Sequence, residues 1–168
     1  MLNPIDTDAV IRDGGAVGRF PGEIHEGVAW WLGACFVVVR NAQRLAVGHD
    51  GHPTSAEFVR RFSHGAVNAH HYACTVSLLG HVTEKTLLAF VQVVQPIAGA
   101  YLSTQTAPDG TQTVRIQLYD EHGHALQEDT GLARIRSMIA EDRVPIPVSS
   151  SARGTIQNLE VTRKEAAE

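Results

Sequence analysis

The sequence predicts an α/β protein, a three-layer α/β/α sandwich around a mixed, mostly parallel sheet with one antiparallel strand. Three observations carry this. Apolar stripes at helical spacing alternate with short apolar runs of strand length from about residue 21 to residue 103. Two strand-like runs then follow each other with no helix between them, so one strand runs against the rest. The chain has 168 residues, 43% hydrophobic and 19% charged, which suits one soluble domain with a real core.

The elements follow in order. Residues 1–20 read as irregular; RDGGAVG (12–18) fits neither glycine pattern that cradles phosphates and is taken as a flexible loop. A helix is expected from near Pro21, with Ile24, Val28, Trp31, Cys35 and Val38 or Val39 forming its buried stripe. Trp30 and Trp31 lie about 100° apart on that helix, so either the buried face is wide or one tryptophan sits at an edge or interface. RLAVG (44–48) is a short buried strand and HDGHP (49–53) a turn. Thr54 and Glu57 form a capping-box pattern that starts a second helix with Phe58 and Phe62 inward. YACTVSLLG (72–80) is a strand. Thr83 caps a third helix with Leu87, Phe90, Val91 and Val94 on its core face, and Pro96 ends it. AGAYLS (98–103) and TVRIQLY (113–119) are strands joined by the loop TQTAPDGTQ (104–112). DEHG (120–123) is a hairpin-type turn between TVRIQLY and HALQ. GLARIRSMIAED (131–142) is an amphipathic helix with Leu132, Ile135, Met138 and Ile139 inward, VPIPVSSSARG (144–154) is a linker, and NLEVTRKEAAE (158–168) is a polar, helix-prone tail.

The bulk properties remove several function classes. A net charge of −4 gives no electrostatic reason to expect nucleic acid or an anionic membrane. The two cysteines, Cys35 and Cys74, sit in apolar segments and form no CxxC, so buried thiols are expected and no zinc or redox site of that kind. VAWWLGACFVVV (28–39) is too short to span a bilayer. The N-terminus lacks the pattern of a signal peptide, and a cytoplasmic location is expected. No Walker A sequence or nucleophile elbow is present. His49 and His52 bracket a turn after a strand, but a metal would need a third ligand, so they read as solvated loop histidines. His70 and His71 point to different sides of their element, and His122 and His124 are expected to be exposed in a turn.

The ordered segments resemble the first domain of the α-D-phosphohexomutases, the phosphoglucomutase/phosphomannomutase family, over roughly residues 8–145. Val10-Ile11-Arg12-Asp13 stands where the family has Y-D-I-R-G. Val47-Gly48-His49-Asp50-Gly51-His52-Pro53-Thr54-Ser55 stands for V-G-R-D-x-R-x-S-S, and residues 82–90 for V-P-T-P-x-L-x-F. The nearest match in spacing is Ser103-Thr104-Gln105-Thr106-Ala107-Pro108-Asp109-Gly110 and the strand after it, against T-A-S-H-N-P-x-x-Y-N-G-I-K-V-F, with no gap. YDEHGHAL (119–126) is similar to F-D-x-x-G-x-x-L.

The resemblance implies a phosphoryl-carrying serine in the S-H-N-P loop, Mg²⁺ held on that phosphoserine and on aspartates of a D-G-D-x-D-R loop in a second domain, and a sugar phosphate gripped by further domains. Carried over by residue, the nucleophile position is Gln105, whose amide cannot carry a phosphoryl group. The positions after it are Thr106 and Ala107, and the arginine of the turn is His52. Arg12, Asp50, Ser55, Pro108 and Arg115 keep matching character. Thr104 and Thr106 bring hydroxyls one residue from the nucleophile position, which in an extended segment turns them to the other side. No D-G-D-x-D-R occurs in the chain, so no metal or other cofactor is expected.

The expectation is therefore a domain of residues 1–145, with 146–168 as linker and remnant of an entry to a second domain. It stands alone as a non-catalytic pseudoenzyme that binds a protein partner or a small anion near Arg12, His52 and Arg115. The face normally covered by the second domain would make it a homodimer or part of a complex. The alternative is one part of a phosphohexomutase whose other domains lie on another chain or were lost.

Overall fold

A computed structural model describes residues 5–69, 74–94, 96–149 and 153–159. One mixed sheet of seven strands runs in the order β1-β2-β6-β5-β3-β4-β7. Its elements are α1 (Thr7–Val10), β1 (Ile11–Arg12), β2 (Gly15–Phe20), α2 (Glu26–Arg40), β3 (Arg44–His49), α3 (Pro53–Val67), β4 (Thr75–His81), α4 (Glu84–Val93), β5 (Ala98–Thr106), β6 (Gln112–Tyr119), α5 (Leu132–Ala140) and β7 (Thr155–Asn158). β5, β3, β4 and β7 pair in parallel, while β6 runs against β5. The expected sandwich is present, and the antiparallel part extends further than β6, because β2 and β1 continue it beyond that strand.

That extension comes from residues expected to be irregular. Asp13 and Gly14 both have positive φ, 54° and 84°, and join β1 to β2 with Arg12 opposite Gly15. Asp-Gly is a preferred pair for a two-residue turn of this hand. RDGGAVG is thus a hairpin and not a flexible loop. α2 starts at Glu26 rather than near Pro21, because the His25 ring nitrogen accepts from the Gly27 amide and caps the helix. α3 starts earlier than the Thr54–Glu57 pattern implies: His52 is the N-cap and Pro53 takes the first helical position. Thr54 and Glu57 are then free for other partners, Gln112 and Arg60. Thr83 caps α4 as expected, and Leu87 and Val91 are its buried residues. The 120–123 turn forms with Gly123 at positive φ, but residues 124–127 make a single bridge, Tyr119 with Ala125, instead of a strand. Within the segment expected to be linker and remnant, 144–149 has no regular structure and Thr155–Asn158 joins the sheet beside β4. His70 and His71, and the tail from residue 160, lie outside the described residues.

Two apolar layers hold the sheet. The larger one gathers α2, α3 and α5 over Leu45, Val47, Val76, Leu102, Val114 and Ile116; the smaller packs Leu87 and Val91 of α4 against Ala46, Leu79 and Tyr119. α3 leads from β3 to β4 on one face, and α4 leads back from β4 to β5 on the other, as right-handed crossovers require. α2 is buried nearly all round, with Trp31 inside and Trp30 at the edge against His64. The buried face of α2 is wide, and of the tryptophan pair Trp30 takes the edge position. Cys35 and Cys74 are buried, and burial pushes both thiols up to about 12.

α2 and α3 approach each other backbone to backbone. A Cβ on Gly33 would stand 2.3 Å from the Phe62 carbonyl oxygen, and one on Gly65 would stand 2.2 Å from that of Trp30. Both glycines are needed for this crossing, and a methyl group at either forces the helices apart. Gly33→Ala and Gly65→Ala should each destabilise the fold by about 2 kcal/mol: a clash with backbone lies at the upper end, about 3 kcal/mol, of overpacking costs, and helix propensity offsets about 1 kcal/mol of it. Urea denaturation of each variant reads this directly, and unchanged or raised stability would refute the close-packed crossing.

Candidate functional site

In an open α/β sheet, ligands bind outside the carboxyl ends of the parallel strands. The carboxyl ends of β3 and β5 lie side by side there. The β3–β5 ladder closes at His49 opposite Leu102, and Asp50 continues it: its amide donates to the Leu102 carbonyl at 3.2 Å. Its carboxylate then accepts from the Thr104 amide at 2.8 Å and from the His52 amide at 3.1 Å. Burial raises the Asp50 pKa, but those two amides, the Ser55 hydroxyl and His52 outweigh it and hold the group below the ordinary carboxylate range.

Beneath Asp50, the Ser55 and Thr104 hydroxyls meet at 2.6 Å, both buried. The Thr54 hydroxyl donates to Gln112 at 2.8 Å. His52 accepts from the Thr54 amide through Nδ1, and its Nε2 lies 3.5 Å from the Thr106 hydroxyl. His49 accepts from the Gly51 amide and stacks on His81 with ring centres 6.4 Å apart. Neither histidine is the solvated loop residue expected from the sequence: both are half-buried and serve as hydrogen-bond acceptors. His122 and His124 are exposed, as expected, with their amides held by Asp120.

Four residues of the segment expected to be a nine-residue loop, 104–106 and 112, belong to the ladder. β5 runs through Thr106 and β6 starts at Gln112, with Gln105 opposite Thr113 and Thr106 opposite Gln112. Only residues 107–111 turn, closed by Ala107 N–H to the Thr111 carbonyl at 2.8 Å, with Gly110 at φ 89° and Asp109 accepting from the Thr111 amide. The sequence missed this because Thr and Gln at 104–106 and 112 read as loop composition, while cross-strand pairing fixes them as strand.

Strand parity sorts the remaining candidates. Thr104 and Thr106 face α3 with Leu102. Gln105 is exposed and faces the other way, with Ser103 and its partner Arg115. Arg12 falls on that same face, in the cross-strand row Arg12, Gly15, Gln117, Tyr101. The structure thus brings His52 to Thr106 and sets Arg12 and Arg115 on the opposite face. Both guanidinium groups have partners: Arg12 binds Asp13 at 2.5 Å and the Ala9 carbonyl at 2.9 Å, and Arg115 binds Gln117 at 2.7 Å. Gln117, buried and bonded to the Gly14 carbonyl, is a site-face residue that sequence reasoning passed over.

Residues 10–144 match the model of the phosphoglucomutase/phosphomannomutase family, alpha/beta/alpha domain I. The chain belongs to this family. Three solved structures share the fold. A phosphoglucomutase/phosphomannomutase family protein from Burkholderia thailandensis is 15% identical at a TM-score of 0.68, covering 94% of this chain and 34% of that one. One described as a phosphomannomutase from Thermus thermophilus is 20% identical at 0.67, covering 95% and 34%. The open form of pp63/parafusin, a phosphoglucomutase from Paramecium, is 9% identical at 0.63, covering 99% and 35%. The chain therefore spans about a third of the length of these proteins, and what it shares with them is this one domain. No curated protein matches it in sequence.

The side chains at this domain's own site do not fit the family's Mg²⁺. Among the described residues no three His, Cys, Asp or Glu side chains converge. Asp50 has each carboxylate oxygen on a backbone amide, and Gln105 offers only a neutral amide. Asp50 is instead a structural clamp. Asp50→Asn puts an amide NH₂ against one of the two backbone donors and should cost about 1–2 kcal/mol at neutral pH, the lower part of the range for a lost charged acceptor because the site is partly solvated. A carboxylate with a depressed folded pKa stabilises above its unfolded value, near 3.9, and that contribution is lost as pH falls through the folded pKa. The stability gap between wild type and Asp50→Asn, read by denaturant titration, should close as pH falls below about 4. A pH-independent gap would mean that the carboxylate charge is not what holds the corner.

Proposed function

We propose that this phosphohexomutase domain I carries no phosphoryl group of its own and works by binding. The observation that carries the reading is Gln105, at the position of the family's phosphoryl-carrying serine, set in a paired strand opposite Thr113. Phosphoryl transfer is catalysed by positioning and charge neutralisation around a competent nucleophile, and a carboxamide side chain supplies none. The neighbouring hydroxyls do not replace it. Thr104 is buried and bonded to Ser55, and Thr106 lies on the face away from Gln105. What the corner keeps is a polar surface with two guanidinium groups: Arg12, paired with Asp13, and Arg115 on one face, and the His52 ring beside the hairpin. A small phosphorylated ligand, or a protein partner seated where the family places its second domain, fits that surface. Among the described residues the exposed large apolar side chains are Val93, Ile146 and Leu159, on three separate segments, so a polar contact fits better than an apolar patch.

A second reading is favoured by the one-third coverage of the full-length structures: the domain contributes walls to a phosphohexomutase site completed by other domains. One experiment separates the two. Incubation with glucose 1,6-bisphosphate and Mg²⁺, followed by intact-mass measurement, should show no gain of a phosphoryl group. Covalent phosphate on Thr104 or Thr106 would overturn the binding-only proposal and favour the enzyme reading.

A further inference from the structure

The side of the sheet that carries Gln105 is covered by α4 over β3 and β5. Over β2 and β6 it is open, and Arg19, Gln105 and Arg115 are exposed there. Its guanidinium groups differ in what neutralises them. Arg12 pairs with Asp13 and Arg19 with Glu23. Among the described residues, the side-chain partner of Arg115 is the neutral carboxamide of Gln117, at 2.7 Å. Gln117 is 6% exposed, and its carboxamide fits in one orientation. Nε2 lies 3.3 Å from the Gly14 carbonyl oxygen and 3.4 Å from that of Leu118. Two acceptors require the NH₂ end there, which turns Oε1 to Arg115. Gly14 makes the room, since a Cβ on it would stand 2.1 Å from that Nε2. In the family's G-I-K-V-F this place belongs to phenylalanine. A buried carboxamide is costly unless bonded, and this one uses its acceptor to fix an exposed cation. Neutral donors surround that cation: Ser103 stands opposite Arg115, and Gln105 opposite Thr113 is the next pair on the same face.

We propose that Gln117 is a positioning residue for anion binding on this face, holding the Arg115 guanidinium in place before a phosphate group arrives. The inference rests on the binding proposal above and narrows it. Arg115, and not the carboxylate-paired Arg12, meets the ligand's charge. The ligand is a small phosphorylated molecule rather than an acidic segment of a protein. A phosphate turns oxygens in several directions, towards the donors of Ser103, Gln105 and Thr113 as well as the guanidinium, whereas a planar carboxylate pairs with the guanidinium fork alone. Ordering Arg115 in advance removes part of the cost of immobilising it on binding, which corresponds to roughly two- to tenfold in affinity.

The test joins NMR of the arginine side chains to a titration with inorganic phosphate at low ionic strength. Before phosphate is added, the Arg115 Nε–H order parameter should approach that of rigid backbone, about 0.8, while that of Arg134, an exposed arginine of α5, should lie below about 0.6. Phosphate should then give saturable shifts at Ser103, Gln105 and Thr113, and Arg115→Ala should abolish them. Gln117→Met keeps the length of the side chain and removes the acceptor. Arg115 should become as mobile as Arg134 in that variant, and phosphate affinity should fall roughly two- to tenfold. A mobile Arg115 in the wild type, a reading that needs no variant to fold, would overturn the positioning role. Undiminished affinity in Gln117→Met would do the same while leaving the binding proposal intact. A rigid Arg115 in a wild type that takes up no phosphate would overturn the binding proposal and the choice of ligand with it.

Discussion

The carboxyl end of the sheet depends on one carboxylate. β3 stops at His49, yet β5 continues for four residues past its last partner on that strand, Leu102. The amide of Thr104 would lose its acceptor there, and an unpaired amide at a half-buried strand end is unfavourable. Asp50 supplies the missing acceptor from its side chain and, with the other oxygen, orders His52 at the head of α3. β3, β5 and α3 are thereby joined at one point. The position of Thr104, and through the ladder that of Gln105 and Thr113, follows from it.

Once Thr104 is held, the hairpin has little freedom. Its hydroxyl turns inward to Ser55, Thr54 reaches Gln112 on β6, and the residues between pair up to the tight turn at 107–111. The polar groups around the corner are satisfied by one another. A corner of this kind is rigid and inexpensive to keep folded. What it leaves exposed are the guanidinium groups of Arg12 and Arg115 and the carboxamide of Gln105.

The layers and most helices were legible in the sequence because they rest on periodicity. Leu87 and Val91, Phe58 and Phe62, and Leu132, Ile135 and Ile139 all occupy the faces their spacing implies. Segments decided by local turn chemistry were less legible. The Asp13-Gly14 hairpin was readable in principle as a type I′ pair, but its flanking strands are short and rich in glycine, so periodicity gave no support. Helix starts moved wherever a histidine capped, as at His25 and His52, because imidazole is outside the usual set of capping side chains. β7 was hidden because a four-residue edge strand with one apolar residue, Ile156, shows no alternation. At the site, the motif order located the hairpin, while the division of Arg12 and Arg115 from His52 became visible only with strand register.

That division bears on how the surviving motif positions are to be understood. Four of them have structural work in this chain. Asp50 completes the ladder, Ser55 satisfies Thr104, Arg12 binds Asp13 and the end of α1, and Arg115 is fixed by the buried Gln117. A residue held by such partners stays useful to the fold whether or not a phosphate ever reaches it, so its match to the family's pattern is weak evidence for retained chemistry. Gln105 is different. It is exposed, and its neighbours Thr104 and Thr106 make the contacts that hold the strand. The fold places no demand on that side chain, so a serine would fit there equally well. The carboxamide at position 105 is therefore not explained by the needs of the fold, which is why the binding-only proposal rests on this residue and not on the positions around it.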